Sequence, residues 1–243
     1  MPKIDCHTYV GPTAFSDDMS SREQIVASMS RFDLEAVLVV SSLGAECDMI
    51  IGNKQLKNIV SAASGIYGYV TVNAEYPKQS IEQQRTYLTS PDFIGAVFAP
   101  PVGRALSLDE VFEVSNAQRR YTKPLAFHAR NLADVNAARA VAEAFPSIPI
   151  IMLGMGGDAW RYAVEAAKQF VNIHLDISGS VDSDKISYAF SLIAARRLLF
   201  GSGLPYAEPT LYQTLVDESK VLTTSDRRRI FRQNASMLFH INE

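Results

Sequence analysis

Short apolar runs alternate with longer amphipathic stretches along the whole chain, and this alternation limits it to very few folds. The runs cover residues 3–9, 36–40, 66–72, 93–98, 124–128, 148–153, 172–178 and 197–201. AVLVV at 36–40 has no polar residue at alternate positions, which is how a strand reads when both its faces are covered. The stretches between carry helical periodicity, as in Ile25, Val26, Met29 and Phe32. Ser20 with Glu23, and Ser107 with Glu110, have the spacing of capping boxes that open helices. Further helices are predicted at about 53–64, 78–88, 132–145, 158–170, 182–194, 209–219 and 224–239. Strand and helix alternating eight times over 243 residues predict an α/β chain folded as a (β/α)8 TIM barrel. A doubly wound open sheet is the rival, but no glycine-rich phosphate fingerprint follows the first run. No linker, charge block or low-complexity segment divides the chain, so residues 1–243 read as one domain.

Composition narrows the function classes. The formal net charge is −3, so no basic field argues for nucleic acid. The short basic run Arg227, Arg228 and Arg229 lies in a helical pattern and reads as a solvated face. The two cysteines, Cys6 and Cys47, are far apart and do not suggest a disulfide framework. The opening MPKIDCHTYVG lacks the basic and apolar regions of a signal peptide. No apolar run approaches the ~20 residues of a membrane helix. The expectation is a cytoplasmic protein with no membrane partner, and a homo-oligomer is compatible with it.

On a barrel, chemistry sits at the C-terminal ends of the strands. Those ends read IDCHTYVG, PLAFH, IPIIMLGMGG, NIHLDISGS and RLLFGSGLPY, and the last helix ends in NASMLF. In this order they resemble the amidohydrolase superfamily, in its aminocarboxymuconate-semialdehyde decarboxylase-like branch, over nearly the whole chain. That family opens with I-D-x-H-x-H, reads L-x-H-x-G-G on strand six and L-F-G-S-D-x-P on strand eight. The resemblance implies a divalent metal held by imidazoles and a carboxylate. Here His7 matches the first position and His128 the strand-five histidine. Tyr9 occupies the second first-strand position, Gly154 that of the strand-six histidine and Gly203 that of the strand-eight aspartate. Asp5 matches an aspartate that the family keeps as a structural group. A catalytic zinc site normally uses three protein ligands. No cofactor is therefore expected, beyond a residual divalent metal such as zinc on His7 and His128.

The function expected is an enzyme acting on a small organic acid or lactone, by hydrolysis, lyase or isomerase chemistry, without the usual metal. The alternative is a non-catalytic homologue that binds a small molecule or a protein partner. His7, Tyr9 and His128 are the catalytic candidates, for proton transfer and for hydrogen bonding to a developing oxyanion. Arg130 offers a planar fork to a carboxylate. Asp158, Trp160, Ser202 and Tyr206 complete the substrate-binding candidates. Each has a plainer alternative: Asp158 also suits a helix cap, Trp160 the docking of its helix, and Ser178 and Ser202 tight turns. His174 and Asp176 lie within strand seven and read as internally bonded. The glycines around Met155 could cradle an anion on backbone N–H groups.

Overall fold

The computed structural model describes residues 1–12, 21–99, 107–179, 181–182 and 184–241. Its strands are β1 (Lys3–Val10), β2 (Leu34–Ser41), β3 (Ile66–Val72), β4 (Phe93–Phe98), β5 (Leu125–His128), β6 (Ile150–Leu153), β7 (Ile173–Asp176) and β8 (Leu198–Leu199). They pair in chain order and in parallel, from β1 to β8. Past the end of β8 the sheet meets β1 again. Cys6 N–H donates to the Phe200 carbonyl at 2.9 Å, Gly203 N–H to that of His7 at 2.7 Å, and Tyr9 N–H to that of Leu204 at 2.7 Å. These bonds close the strands into a (β/α)8 TIM barrel.

The helices are α1 (Arg22–Phe32), α2 (Ser42–Glu46), α3 (Met49–Val60), α4 (Pro77–Tyr87), α5 (Leu108–Gln118), α6 (Leu132–Ala144), α7 (Trp160–Gln169), α8 (Asp184–Ile193), α9 (Pro209–Asp217), α10 (Thr224–Arg228) and α11 (Asn234–Phe239). The short α2 was not expected, and the predicted helix at 224–239 is broken by a π-helical stretch, Arg229–Gln233. Among the described residues no helix is long and apolar enough to cross a membrane.

Two capping assignments need correction. Ser20 lies outside the described residues, and the box that opens α1 is Ser21 with Gln24, one residue further on. Ser107 does cap α5, but its side chain makes no capping hydrogen bond.

Strand alternation divides the core. On β5, Leu125 and Phe127 pack outward with the helices, whereas Ala126 joins an interior cluster with Ile4, Leu38, Tyr69, Ile151 and Leu199. Phe239 of α11 belongs to the same interior cluster, with its ring 6.2 Å from that of Tyr69. The apolar filling leaves the C-terminal strand ends as the place where polar side chains gather.

Candidate active site

β1, β5 and β7 bring four side chains into one hydrogen-bonded run. The His7 Nδ1 lies 2.8 Å from Asp176 Oδ2 and 2.9 Å from Ser178 Oγ. Its Nε2 lies 2.9 Å from the Tyr9 hydroxyl, which lies 3.1 Å from His128 Nδ1. A carboxylate only accepts, so His7 places its Nδ1–H on Asp176. His7 Nε2 is then bare and accepts the Tyr9 O–H. The Tyr9 oxygen accepts from His128 Nδ1–H, which leaves His128 Nε2 without a proton. That nitrogen is buried and has no hydrogen-bond partner among the described residues.

The electrostatics give the run a direction. Burial pushes His128 down to about 3, helped by His7 and Arg130, so this ring resists holding a second proton. Burial would raise Asp176, but the hydrogen bond and charge of His7, together with Ser178, hold it below the usual carboxylate value. The run therefore has a charged end, the Asp176 carboxylate, and a neutral end, the His128 ring. Burial pushes the Tyr9 phenol well up, so it stays protonated and relays rather than ionises.

Asp176 is also anchored from outside the run. It accepts the Gly154 N–H at 2.9 Å, the Ser178 N–H at 3.0 Å and the Ser178 hydroxyl at 2.5 Å. Because Asp176 takes the Gly154 N–H, that group is not available to an anion cradle. Gly201 makes room for the pair. A Cβ there would overlap Asp176 Oδ1 and stand 2.9 Å from His7 Cβ.

Below His7, Asp5 is fully buried. Its carboxylate accepts the N–H groups of His7 and Ser202, at 3.1 and 3.0 Å, and the Ser202 hydroxyl at 2.6 Å. Burial outweighs these bonds and pushes Asp5 up to about 7 from 3.8. The folded state therefore binds more protons than the unfolded chain between these values. Stability from this group falls as pH rises from about 4 to about 7. Asp5→Asn keeps one oxygen for both N–H groups and offers its amide to Ser202 Oγ. It is expected to fold and to lose that fall, about 4 kcal/mol at most. Urea unfolding across this pH range checks it, and a variant curve parallel to the wild type would show Asp5 to be charged throughout.

A cavity of about 630 Å³ opens above these groups. His7, Tyr9, His128, Arg130, Asp158, Ser202 and Tyr206 all line it, with Ser178, Val181 and Tyr212. The Tyr206 ring stands 5.1 Å from that of Tyr9 at a near right angle. Arg130 leans its Nε on Asp134 at 3.4 Å, and its side chain is more than half exposed. Asp158 is exposed and does not cap α7, whose N-cap is Ala159. Trp160 is the misplaced candidate. It is buried in the helical layer, 5.5 Å from the Tyr188 ring, and is not among the residues lining the cavity. Gly154 and Gly203 both have positive φ, +78° and +72°. A Cβ at Gly203 would meet nothing within 4 Å. Asp176, expected to be bonded internally, is bonded to His7, Gly154 and Ser178, and Ser178, expected in a tight turn, reaches both Asp176 and His7. The signal for Asp176 was its place as the last residue of β7, at the chemical end of the barrel.

Solved structures with the same fold are numerous. A 2,6-dihydroxybenzoate decarboxylase from Rhizobium is 15% identical, with a TM-score of 0.77 and full coverage of both chains. A dihydroxybenzoic acid decarboxylase from Polaromonas, solved with manganese and 2-nitroresorcinol, is 16% identical at TM-score 0.74, covering 100% of this chain and 98% of that one. A 5-carboxyvanillate decarboxylase from Novosphingobium aromaticivorans, with manganese and a nitrobenzoic acid, is 13% identical at TM-score 0.76, covering 98% and 96%. A search of the curated proteins finds no match.

The manganese in the last two structures overturns the expectation that no cofactor is involved. In this chain, no group of three or more His, Cys, Asp or Glu among the described residues is placed to hold a metal ion. His7 and His128 present two imidazoles, and the Tyr9 hydroxyl stands between them. These residues do not make up a metal shell. The amidohydrolase family model matches residues 4–241, and the chain belongs to the amidohydrolase family.

Proposed function

We propose that the protein is an enzyme that transfers a proton to a small aromatic carboxylic acid seated in this cavity, with decarboxylation as the reaction. The observation that carries the reading is the run from Asp176 through His7 and Tyr9 to His128, ending on a buried nitrogen with no partner among the described residues. Arg130 takes the substrate carboxylate on the part of its guanidinium not turned to Asp134. Tyr9 and Tyr206 offer an aromatic wall to the ring. Arg130 favours a carboxylate over a lactone.

With His7 doubly protonated beside Asp176, Tyr9 receives from His7 Nε2–H and donates to His128 Nδ1, and His128 carries its proton on Nε2. The carbon–carboxylate bond breaks, its electron pair stays on the ring carbon, and carbon dioxide leaves. That carbon takes the Nε2 proton of His128. The Tyr9 proton moves to His128 Nδ1, the His7 Nε2 proton moves to Tyr9, and His7 ends neutral. The two free cysteines support a cytosolic setting.

Calorimetric titration with 2,6-dihydroxybenzoate, with and without manganese, tests the ligand class. Arg130→Ala is expected to weaken binding by roughly tenfold to a hundredfold, the worth of a charged hydrogen bond. Equal affinity in wild type and variant would remove Arg130 from the carboxylate site. A second reading, a non-catalytic binding protein, draws on the open space beside Gly203. It predicts binding without turnover.

A further inference from the structure

One buried cation stands outside the relay. Lys185 of α8 is fully buried, and its ammonium donates to the Ser178 carbonyl at 2.8 Å. It makes no ion pair among the described residues. The Tyr212 ring lies 5.6 Å from the ammonium, and the Tyr212 hydroxyl donates to the next carbonyl, that of Gly179, at 2.9 Å. Two successive carbonyls after β7 are thus each held by a donor. Burial pushes Lys185 down to about 8, against the pull of Asp176 and Asp182. A methionine would fill the same space without the cost of burying a charge.

The residue whose carbonyl is held also reaches the relay through its N–H and its hydroxyl. Ser178 N–H lies 3.0 Å from Asp176 Oδ1, and Ser178 Oγ lies 2.5 Å from Asp176 Oδ2 and 2.9 Å from His7 Nδ1. We propose that Lys185 is a positioning residue: by fixing the Ser178 carbonyl it keeps Ser178 on Asp176 and His7, and so keeps the His7 Nδ1–H on the carboxylate. This rests on the relay read above. Its test uses the protein alone, so a failure of the substrate assignment leaves it standing.

The experiment is nitrogen-15 NMR of the histidine rings in wild type, Lys185→Met and Lys185→Gln, with thermal melts to confirm folding. In the wild type the His7 Nδ1–H is expected to be resolved and slow to exchange with water. Lys185→Met is expected to lose that protection while the His174 and His240 rings are unchanged. Lys185→Gln, which keeps an N–H donor for the carbonyl, is expected to restore it. An unchanged His7 signal in Lys185→Met, or equal loss in both variants, overturns the proposal. If neither variant folds, Lys185 is an ordinary structural residue and the proposal fails too.

Discussion

Asp176→Ala is expected to lower stability by about 3–5 kcal/mol, since four buried donors lose their acceptor at about 1–3 kcal/mol each, and to abolish proton transfer. The carboxylate is fully buried and receives His7 Nδ1–H, Gly154 N–H, Ser178 N–H and the Ser178 hydroxyl. Alanine leaves those donors facing each other without water. The sign against pH follows from the lowered folded value of Asp176. Its contribution is present above the ordinary 3.8 of the unfolded chain and is lost as pH falls through the lower folded value. The variant should therefore trail the wild type across neutral pH and approach it only below about 4. Denaturant midpoints measured along that pH series check the claim. Asp176→Asn separates charge from shape. One of its atoms becomes an N–H donor, and every partner around it also donates, so it should recover little.

Gly201→Ala is expected to be the most damaging small change at the site. Its Cβ would overlap Asp176 Oδ1, and the backbone on both sides belongs to the closing strands. Either the carboxylate or His7 must move, and overpacking of this kind costs about 1–3 kcal/mol. The upper end is expected, together with loss of the His7–Asp176 bond. Gly203→Ala is the control. It meets no atom within 4 Å and carries only the strain of a positive φ, about 1–2 kcal/mol. Thermal melts of the two variants should rank Gly201→Ala as the less stable, and the reverse order would show that the site yields where the geometry says it is tight.

The barrel was legible because its signal is repeated. Eight runs with short boundaries leave little freedom, and β3 and β4 fall at the predicted residues. The boundaries blurred where local signals compete. Ser20 with Glu23 and Ser21 with Gln24 both have box spacing, and the spacing alone does not choose between them. His7, Tyr9 and His128 were legible as a group because His7 and Tyr9 alternate in the second half of β1 and His128 is the last residue of β5, toward the chemical end of the barrel. Trp160 was not. Met155, Gly156 and Gly157 take positive φ before α7, and the turn they make delivers Trp160 to the helical layer instead of the cavity. Lys185 left no trace either, since a lysine in an amphipathic helix reads as solvated until the surrounding elements bury it. Asp176 fell between these cases: its position at a strand end was visible, but its pairing with His7 joins residues 169 apart in the chain.

Carbon dioxide release from carboxyl-labelled 2,6-dihydroxybenzoate by wild type and Tyr9→Phe, with and without manganese, tests the relay most directly. Phenylalanine keeps the ring and removes the hydroxyl that joins His7 to His128. Release by the wild type and its loss in Tyr9→Phe are expected, with ligand affinity retained. Release at the same rate in both proteins would contradict it, because the proton would then reach the substrate without passing through Tyr9.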